Sequence, residues 1–438
     1  MRTMQFERSK QLQSRIHRLI PGGCHTYAKG DDQYPELSPG MIMRGKGAHV
    51  WDVDGNEFIE YGMGGRAVGL GHNIEPIVAA AREAMELGAS FTRPHELELA
   101  CAEAVLEVVP YADMVKFTKD GSTATSGAVK LARAVTGREM VALCHDQPFF
   151  SYDDWFIGTT PMDAGIPQSI KEMTVTFPYD DLDALRQRFE ENPGKIACVI
   201  LEPVKYEDPQ PGYLQAVKDL CHEHGALFIL DEMICGFRLA IAGGQEYFDV
   251  EPDLSTFGKA MANGFACSAL CGKREYMELG GIEHDRERVF LLSTTHGAET
   301  HALAATIACI NFYQENPVIE ELEKKGMRLA AGIQRVVAQH GLSDFVPILG
   351  KPCNLVFGAK DPDGKPSQAY RSLLIQELIK RGVLGPSLVV AYAHTDEDID
   401  RTIAAFDGAM PIYQRALEDG AETHLVGPAS NIVYRKYN

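Results

Sequence analysis

The sequence predicts an α/β fold, with a large domain whose mostly parallel sheet is covered by helices on both faces, and a smaller α+β domain built from both chain ends. Three observations predict it. After Val109, runs that are apolar almost throughout alternate with helical segments, which is typical of parallel strands buried on both faces. After about residue 315, charged amphipathic helices mix with a few short strands. The 438 residues also exceed one ordinary core.

The elements follow in chain order. The spacing of Leu12, Ile16 and Leu19 predicts a short amphipathic helix, and a strand at 48–53 leads into an Asp54-Gly55 hairpin turn. The chain becomes helical from about residue 75. The predicted strands are 114–117, 140–143, 173–177, 196–201, 226–230 and 267–271 in the large sheet, and 354–357 and 388–392 in the small domain. We therefore predict an N-terminal segment at 1–70 that joins the small domain, a large ligand-binding domain at 71–315, and a C-terminal small domain at 316–438.

Composition excludes several classes of partner. The net charge of −19, from 61 acidic and 42 basic residues, argues against nucleic acid or an anionic membrane as the main partner. No apolar run reaches the roughly 18 residues that cross a bilayer. The ten cysteines are scattered, without a CxxC pair, which indicates reduced thiols in a cytoplasmic protein and no metal site.

Lys259 is the first candidate for catalysis. It lies between Gly258 and Ala260 in an apolar stretch, and a desolvated amine more readily takes the neutral form that forms a Schiff base with an aldehyde. The predicted strand 226–230 delivers the carboxylate of Asp231 to its C-terminal tip. An amine for the aldehyde and a carboxylate for a pyridinium nitrogen are the minimum for a pyridoxal-phosphate site. Taken alone, however, a lysine is most often an exposed surface residue.

A candidate anion site follows the strand that ends near Phe117. Gly121, Ser122 and Thr123 open a helix, where backbone N–H groups and the helix dipole favour an anion and hydroxyl groups can complete the cage. The alternative is a Ser/Thr helix N-cap. The segment is neither a Walker loop nor GxGxxG, which argues against a nucleotide.

An aromatic-rich loop at 148–156 follows the next strand. It would lie near the same strand ends, where an aromatic face such as that of Phe149 can stack on a flat ring. Packing in the core is the alternative for each ring, and we expect it for Phe156.

Several motifs together resemble a known family. They occur in the order and spacing of class III pyridoxal-phosphate aminotransferases, and the closest resemblance is to glutamate-1-semialdehyde aminomutase and its aminotransferase relatives. The resemblance covers nearly the whole chain and implies a pyridoxal-phosphate-dependent transferase fold. The segments that carry it are 21–23, 52–55, 121–122, 201–203, 231–238, 258–259 and 394–398.

The resemblance implies roles for individual residues. Lys259 is similar to the lysine that holds the cofactor as a Schiff base, and Asp231 to the partner of the ring nitrogen. Met233 would lie under the ring, Gly121 and Ser122 match the phosphate loop, and Phe149 takes the position of a stacking tyrosine.

Two further positions are implied by the resemblance. Thr295 resembles the threonine that reaches the phosphate of the neighbouring subunit's cofactor, which implies a homodimer with shared sites; Thr294 is an alternative. Glu202 resembles a glutamate near the substrate or cofactor.

The chain departs from the family in ways that bear on its substrate. Thr123 replaces the usual Glu, and Phe149-Phe150-Ser151 replaces Tyr-His-Gly. The aminomutase has an arginine for the substrate carboxylate where this chain places Lys29, and Arg66 is a second candidate for that charge. Arg66 is equally well interpreted as a loop arginine at the surface. These differences favour a relative with another amino or keto substrate.

Four functions are consistent with these observations. We predict an aminotransferase that acts on small amino and carbonyl compounds, and an aminomutase or racemase on the same scaffold is the alternative. A non-catalytic cofactor-binding or regulatory protein is disfavoured because mere binding needs no electron sink. A nucleotide-dependent α/β enzyme is disfavoured because a Gly-rich phosphate loop is absent.

Overall fold

The computed structural model describes residues 4–437. The helices are α1 (Glu7–Ile16), α2 (Met63–Arg66), α3 (Glu75–Glu86), α4 (Glu96–Val108), α5 (Gly121–Thr136), α6 (Asp154–Ile157), α7 (Gln168–Lys171), α8 (Leu182–Glu191), α9 (Tyr213–Glu223), α10 (Gly244–Tyr247), α11 (Arg274–Met277), α12 (Thr300–Glu315), α13 (Val318–Gln339), α14 (Gln368–Ile379) and α15 (Asp396–Asp419). The strands are β1 (Ile42–Lys46), β2 (His49–Asp52), β3 (Glu57–Glu60), β4 (Met114–Thr118), β5 (Met140–Cys144), β6 (Thr174–Phe177), β7 (Ile196–Leu201), β8 (Leu227–Asp231), β9 (Leu254–Phe257), β10 (Ser268–Gly272), β11 (Ile348–Leu349), β12 (Asn354–Phe357), β13 (Val383–Leu384) and β14 (Leu388–Val389).

The large sheet has seven strands in the order β4-β10-β9-β8-β7-β5-β6. Neighbours pair in parallel except β10, which is antiparallel to both β4 and β9. Every residue of β7 to β10 is buried, so both faces of the sheet centre are covered. Helix α5 packs on β7, β9 and β10, and α9 packs on β8. The α/β fold with a mostly parallel sheet is confirmed.

The chain divides into two compact units. One contains the residues up to Ile74 together with Glu320–Arg435, and the other contains Glu75–Ile319. In the first unit, β13 from the C-terminal part pairs in parallel with β3 from the N-terminal part, with Val383 opposite Ile59. The smaller unit is therefore built from both chain ends, and β11, β12 and β14 form a second sheet within it.

Most predicted strands match closely, and 196–201 and 354–357 match at both ends. Strand β9 was not predicted, because its sequence Leu-Ser-Thr-Phe is too short and too mixed in polarity to show a strand pattern. The strand predicted at 388–392 was too long, since only Leu388–Val389 pair with β12. Between residues 4 and 437, no helix combines the length and the apolar character needed to cross a bilayer.

Candidate active site

Lys259 and Asp231 follow neighbouring strands of the large sheet. Asp231 is the last residue of β8, and Lys259 comes two residues after the end of β9. These strands are parallel partners, with Asp231 opposite Thr256. Both residues therefore lie at the carboxyl edge of the sheet, where ligands bind in this class of fold.

Asp231 is a buried carboxyl group with polar partners and is 2% exposed. Its Oδ1 accepts hydrogen bonds from the backbone N–H of Met233 at 3.0 Å and from the hydroxyl of Thr256 at 3.1 Å. Burial raises the pKa of Asp231 to about 6, while the nearby Lys259 charge and these hydrogen bonds oppose the rise. A buried carboxylate in this state is stabilised by a cation placed against it.

The backbone at Lys259 is strained. Its φ is +46°, in the left-handed region that a residue with a side chain rarely adopts. Such outliers persist where the surrounding structure enforces them, and they cluster at functional sites. The preceding Gly258 has no room for a side chain, because an added Cβ would lie 2.5 Å from Ser268 Oγ.

Met233 connects the lysine turn with the start of α5. Its Sδ would lie 2.8 Å from a Cβ added at Gly258 and 2.8 Å from one added at Gly121. Only glycine fits at these two positions while Met233 keeps its place. The ends of β8 and β9 and the start of α5 therefore meet around the buried sulfur of Met233. Because Gly121 and Gly258 have no side chains, a flat ligand with an anionic group can approach the backbone closely here.

The first turn of α5 differs from the N-cap alternative. The N-cap is Asp120, not a Ser or Thr, and its carboxylate accepts the N–H of Thr123 at 2.8 Å and the Thr123 hydroxyl at 2.9 Å. Ser122 is buried, and its Oγ accepts the backbone N–H of Tyr152 at 3.1 Å. The Ser122 hydroxyl proton thus remains available to an anion, whereas the Thr123 hydroxyl is engaged with Asp120.

The rings of the aromatic loop differ in their exposure to solvent. Phe149 is 45% exposed and touches Phe156 edge-on at 5.7 Å between ring centroids. Phe150 and Phe156 are buried and pack edge-on against each other. The prediction that Phe156 packs in the core is confirmed, whereas Phe149 is left half-exposed.

Glu202 and Glu232 are two buried glutamates near these strand ends. Backbone groups of Glu202 exchange two hydrogen bonds with the side-chain amide of Gln147, each 2.7 Å long. The Glu232 carboxylate accepts the N–H groups of Gly244 and Gln245 at 2.8 and 2.7 Å, and burial raises its pKa to about 8. Glu232 was missed by sequence analysis, although its place directly after Asp231 was a signal.

Thr295 lies in an exposed segment that is tied to the strand before α5. Thr294 and Thr295 are both exposed. Four residues further on, Glu299 accepts a hydrogen bond from Lys119 Nζ at 2.5 Å. This ion pair, also missed, connects the end of the exposed segment to the residue just before the N-cap of α5.

The two candidates for binding a substrate carboxylate belong to the other unit. Lys29 is exposed at the end of a short turn (Tyr27–Lys29). Arg66 is half-buried, and it donates from Nε to Asn354 Oδ1 at 2.9 Å and from an Nη to Ser387 Oγ at 3.4 Å. Arg66 ends a left-handed turn whose four residues have φ values of 42° for Met63, 61° and 72° for the two glycines, and 71° for Arg66. Within the described part of the chain, no group of three or more His, Cys, Asp or Glu side chains is arranged to hold a metal ion.

Comparison with known proteins identifies the family. The model of the aminotransferase class-III family matches residues 31–410, which is most of the chain. The chain belongs to the class-III aminotransferases. Curated relatives include the glutamate-1-semialdehyde 2,1-aminomutases of Persephonella marina, 32% identical over 422 residues, and of Desulfitobacterium hafniense, 32% identical over 423 residues. Each alignment covers 91% of this chain and 97% of the relative.

Solved structures agree with this assignment. The structure described as the PLP internal aldimine form of Sphingopyxis sp. MTA144 FumI is 29% identical with a TM-score of 0.86, and the match covers 94% of this chain and 97% of that one. An omega-transaminase from Sphaerobacter thermophilus is 25% identical with a TM-score of 0.83, over 93% and 98% of the two chains. Pyridoxal 5'-phosphate is therefore the cofactor of this class-III enzyme, and the glycine cradle around Met233 and the buried carboxylate of Asp231 fit it.

Proposed function

We propose that this protein is an aminotransferase that moves an amino group between an amino donor and a small carbonyl compound, with Lys259 as the residue that bonds to the cofactor. The observation that carries the proposal is the placement of Asp231 at the end of β8 and of Lys259 two residues after the end of the adjacent parallel strand β9. When bound, pyridoxal 5'-phosphate supplies an aldehyde for an amine and a ring that accepts the electron pair left by a departing proton.

The residues of the site divide this work. Asp231 holds a proton on the ring nitrogen, since a buried carboxylate is stabilised by a cation beside it. Lys259 would bond to the aldehyde of the cofactor, and its amine would move a proton to and from the reacting carbon as base and acid. Met233 and Phe149 would hold the ring, and Glu202 would lie near the substrate or cofactor.

The anion site is proposed at the first turn of α5. Gly121 and Ser122 present backbone N–H groups, and the Ser122 hydroxyl has a proton to donate. Thr123 forms part of this turn, but its hydroxyl and its backbone N–H both donate hydrogen bonds to Asp120.

We also propose that the enzyme is a homodimer in which Thr295, or Thr294 in its place, reaches the phosphate in the neighbouring subunit. A cytoplasmic location is supported by ten free thiols. The boundaries near residues 70 and 315 are proposed as domain boundaries.

An aminomutase is the second candidate, because the curated relatives at 32% identity bear that name. Arg66 is favoured over Lys29 as the partner of a substrate carboxylate. It ends a strained left-handed turn, Asn354 and Ser387 fix the position of its guanidinium, and a guanidinium suits a carboxylate better than the ammonium of Lys29 does.

The test is the absorbance spectrum of the purified protein before and after addition of single amines and amino acids, with Lys259→Ala alongside. A visible cofactor band that is absent in the variant, and that one amino donor bleaches with release of a keto product, supports an aminotransferase. An isomerised product formed from one compound without an acceptor supports the aminomutase. A wild-type protein without a visible band after reconstitution refutes the role of Lys259.

A further inference from the structure

The loop that carries Phe149 is joined to the start of α5 by side-chain hydrogen bonds. The indole N–H of Trp155 donates to Ser126 Oγ at 2.9 Å, and Ser126 Oγ lies 3.0 Å from Ser151 Oγ. The hydroxyl of Thr125 donates to the carbonyl of Phe150 at 2.8 Å. Two segments about 25 residues apart in sequence are therefore fastened together beside the proposed anion site.

The donors and acceptors favour one direction along this chain of hydroxyl groups. Ser126 accepts from Trp155, and Ser151 accepts the backbone N–H of Asp153 at 3.1 Å. The Ser126 hydroxyl can then donate to Ser151, and the Ser151 hydroxyl to the carbonyl of Ser122, 3.5 Å away. Hydrogen bonds aligned in this way polarise and strengthen one another.

The hydrogen-bonded chain from Trp155 through Ser126 and Ser151 lies beside the groups that would face the ligand. Ser151 is fully buried, Trp155 is 6% exposed and Ser126 is half-buried, so water has limited access to their hydrogen bonds. Phe149, by contrast, is half-exposed and has only an edge contact with Phe156. The position of its ring therefore depends on the loop backbone. The same loop orients Ser122, because the N–H of Tyr152 occupies a lone pair of Ser122 Oγ.

We propose that Trp155, acting through Ser126 and Ser151, is a positioning residue for the cofactor. It holds the loop on α5 so that the face of Phe149 and the hydroxyl of Ser122 are presented together, one to the ring and the other to the phosphate. The inference rests on the proposed function of this site and adds residues that touch neither group.

The test compares cofactor binding by the apoprotein, its Trp155→Phe and Ser126→Ala variants, and the double variant. Titration with pyridoxal 5'-phosphate is expected to show about tenfold weaker binding in each single variant, the effect of one buried hydrogen bond. The double variant should bind little more weakly than Ser126→Ala alone, because Ser126→Ala already removes the bond to Trp155 together with the one to Ser151. The ratio of pyridoxal phosphate affinity to pyridoxal affinity should fall, as should the visible circular dichroism per bound cofactor.

Matched variants separate positioning from general destabilisation. Ser126→Thr keeps the hydroxyl and should restore binding, and Thr159→Ala removes a nearby hydroxyl that bonds only within its own turn, to Phe156, and should have no effect. Folded Ser126→Ala with an unchanged affinity ratio and unchanged circular dichroism would overturn the inference and leave the proposed function intact. Wild-type protein that binds no pyridoxal phosphate would overturn both.

Discussion

Asp231 and Thr256 lie opposite each other on the parallel strands β8 and β9, and the Thr256 hydroxyl donates to Asp231 Oδ1 at 3.1 Å. This bond and the N–H of Met233 only partly offset the burial of the carboxylate, whose pKa is raised to about 6. The apoprotein thus keeps an unfavourable charge at neutral pH, which the ring nitrogen of the cofactor would neutralise if the proposed role of Asp231 is correct.

The first prediction concerns the stability of the apoprotein against pH. Because burial raises the folded pKa of Asp231 above its unfolded value, the stability associated with the protonated form is present below about pH 4 and is lost as pH rises through about 6. A shift of about two units corresponds to about 3 kcal/mol. Asp231→Asn should therefore raise the apoprotein's unfolding midpoint at pH 8 more than at pH 4, while cofactor binding weakens. Equal shifts at both pH values would contradict this account.

The second prediction concerns the contact between Gly121 and Met233. Gly121→Ala places a methyl group against Met233 Sδ, and we expect a loss of about 1–2 kcal/mol in unfolding free energy together with weaker cofactor binding. The same change in a Met233→Ala background should cost less, because the clash is gone. Denaturant unfolding of the four proteins measures the coupling, and strictly additive losses would show that the two residues do not meet.

The third prediction concerns the ion pair between Lys119 and Glu299. Both side chains are about one-fifth exposed, so we expect a coupling of about 1 kcal/mol that salt weakens. The hydrogen bond from Lys119 lowers the pKa of Glu299, so the coupling should be present above the usual Glu range and disappear as pH falls through the lowered value. A double-mutant cycle with Lys119→Met and Glu299→Gln at pH 7 and pH 3 measures both effects. Coupling that neither added salt nor acid weakens would argue against an ionic interaction.

The fourth prediction tests shared sites. Lys259→Ala and Thr295→Val should each be inactive or weak, but a hybrid dimer would contain one complete site if Thr295 acts across the interface. Random exchange of subunits in a 1:1 mixture of the two variants should restore about a quarter of wild-type activity, because half of the dimers are hybrids and each hybrid has one complete site out of two. Activity is followed with the amino donor found spectroscopically. A mixture no more active than its separate components would place Thr295 in its own subunit's site.

The fifth prediction concerns the substrate carboxylate. Arg66→Gln should raise KM for a carboxylate-bearing substrate by at least about tenfold, since a charge-assisted hydrogen bond contributes about 1.5–3 kcal/mol. KM for an amine without a carboxylate should change little. Lys29→Gln is the matched comparison. A larger rise in KM for Lys29→Gln than for Arg66→Gln would make Lys29 the partner of the substrate carboxylate.

Local patterns were sufficient for the elements that depend on neighbouring residues. The apolar run at 196–201 predicted β7 because a strand buried on both faces needs apolar side chains at every position. The same reasoning predicted that Asp231 lies at the end of a strand. Strand β9 escaped prediction because its four residues are buried by their neighbours in the sheet rather than by their own apolar character.

The sequence by itself determined the fold class, the order of the motifs, the family resemblance and the two residues most suited to the cofactor, because these depend on residue type and spacing. Only the tertiary structure decided that Met233 packs between Gly121 and Gly258 and that Trp155 reaches Ser126. Those contacts join segments far apart in the chain. Their geometry follows from how the strands order themselves in the sheet and how the loops pack at its edge, which no local pattern encodes.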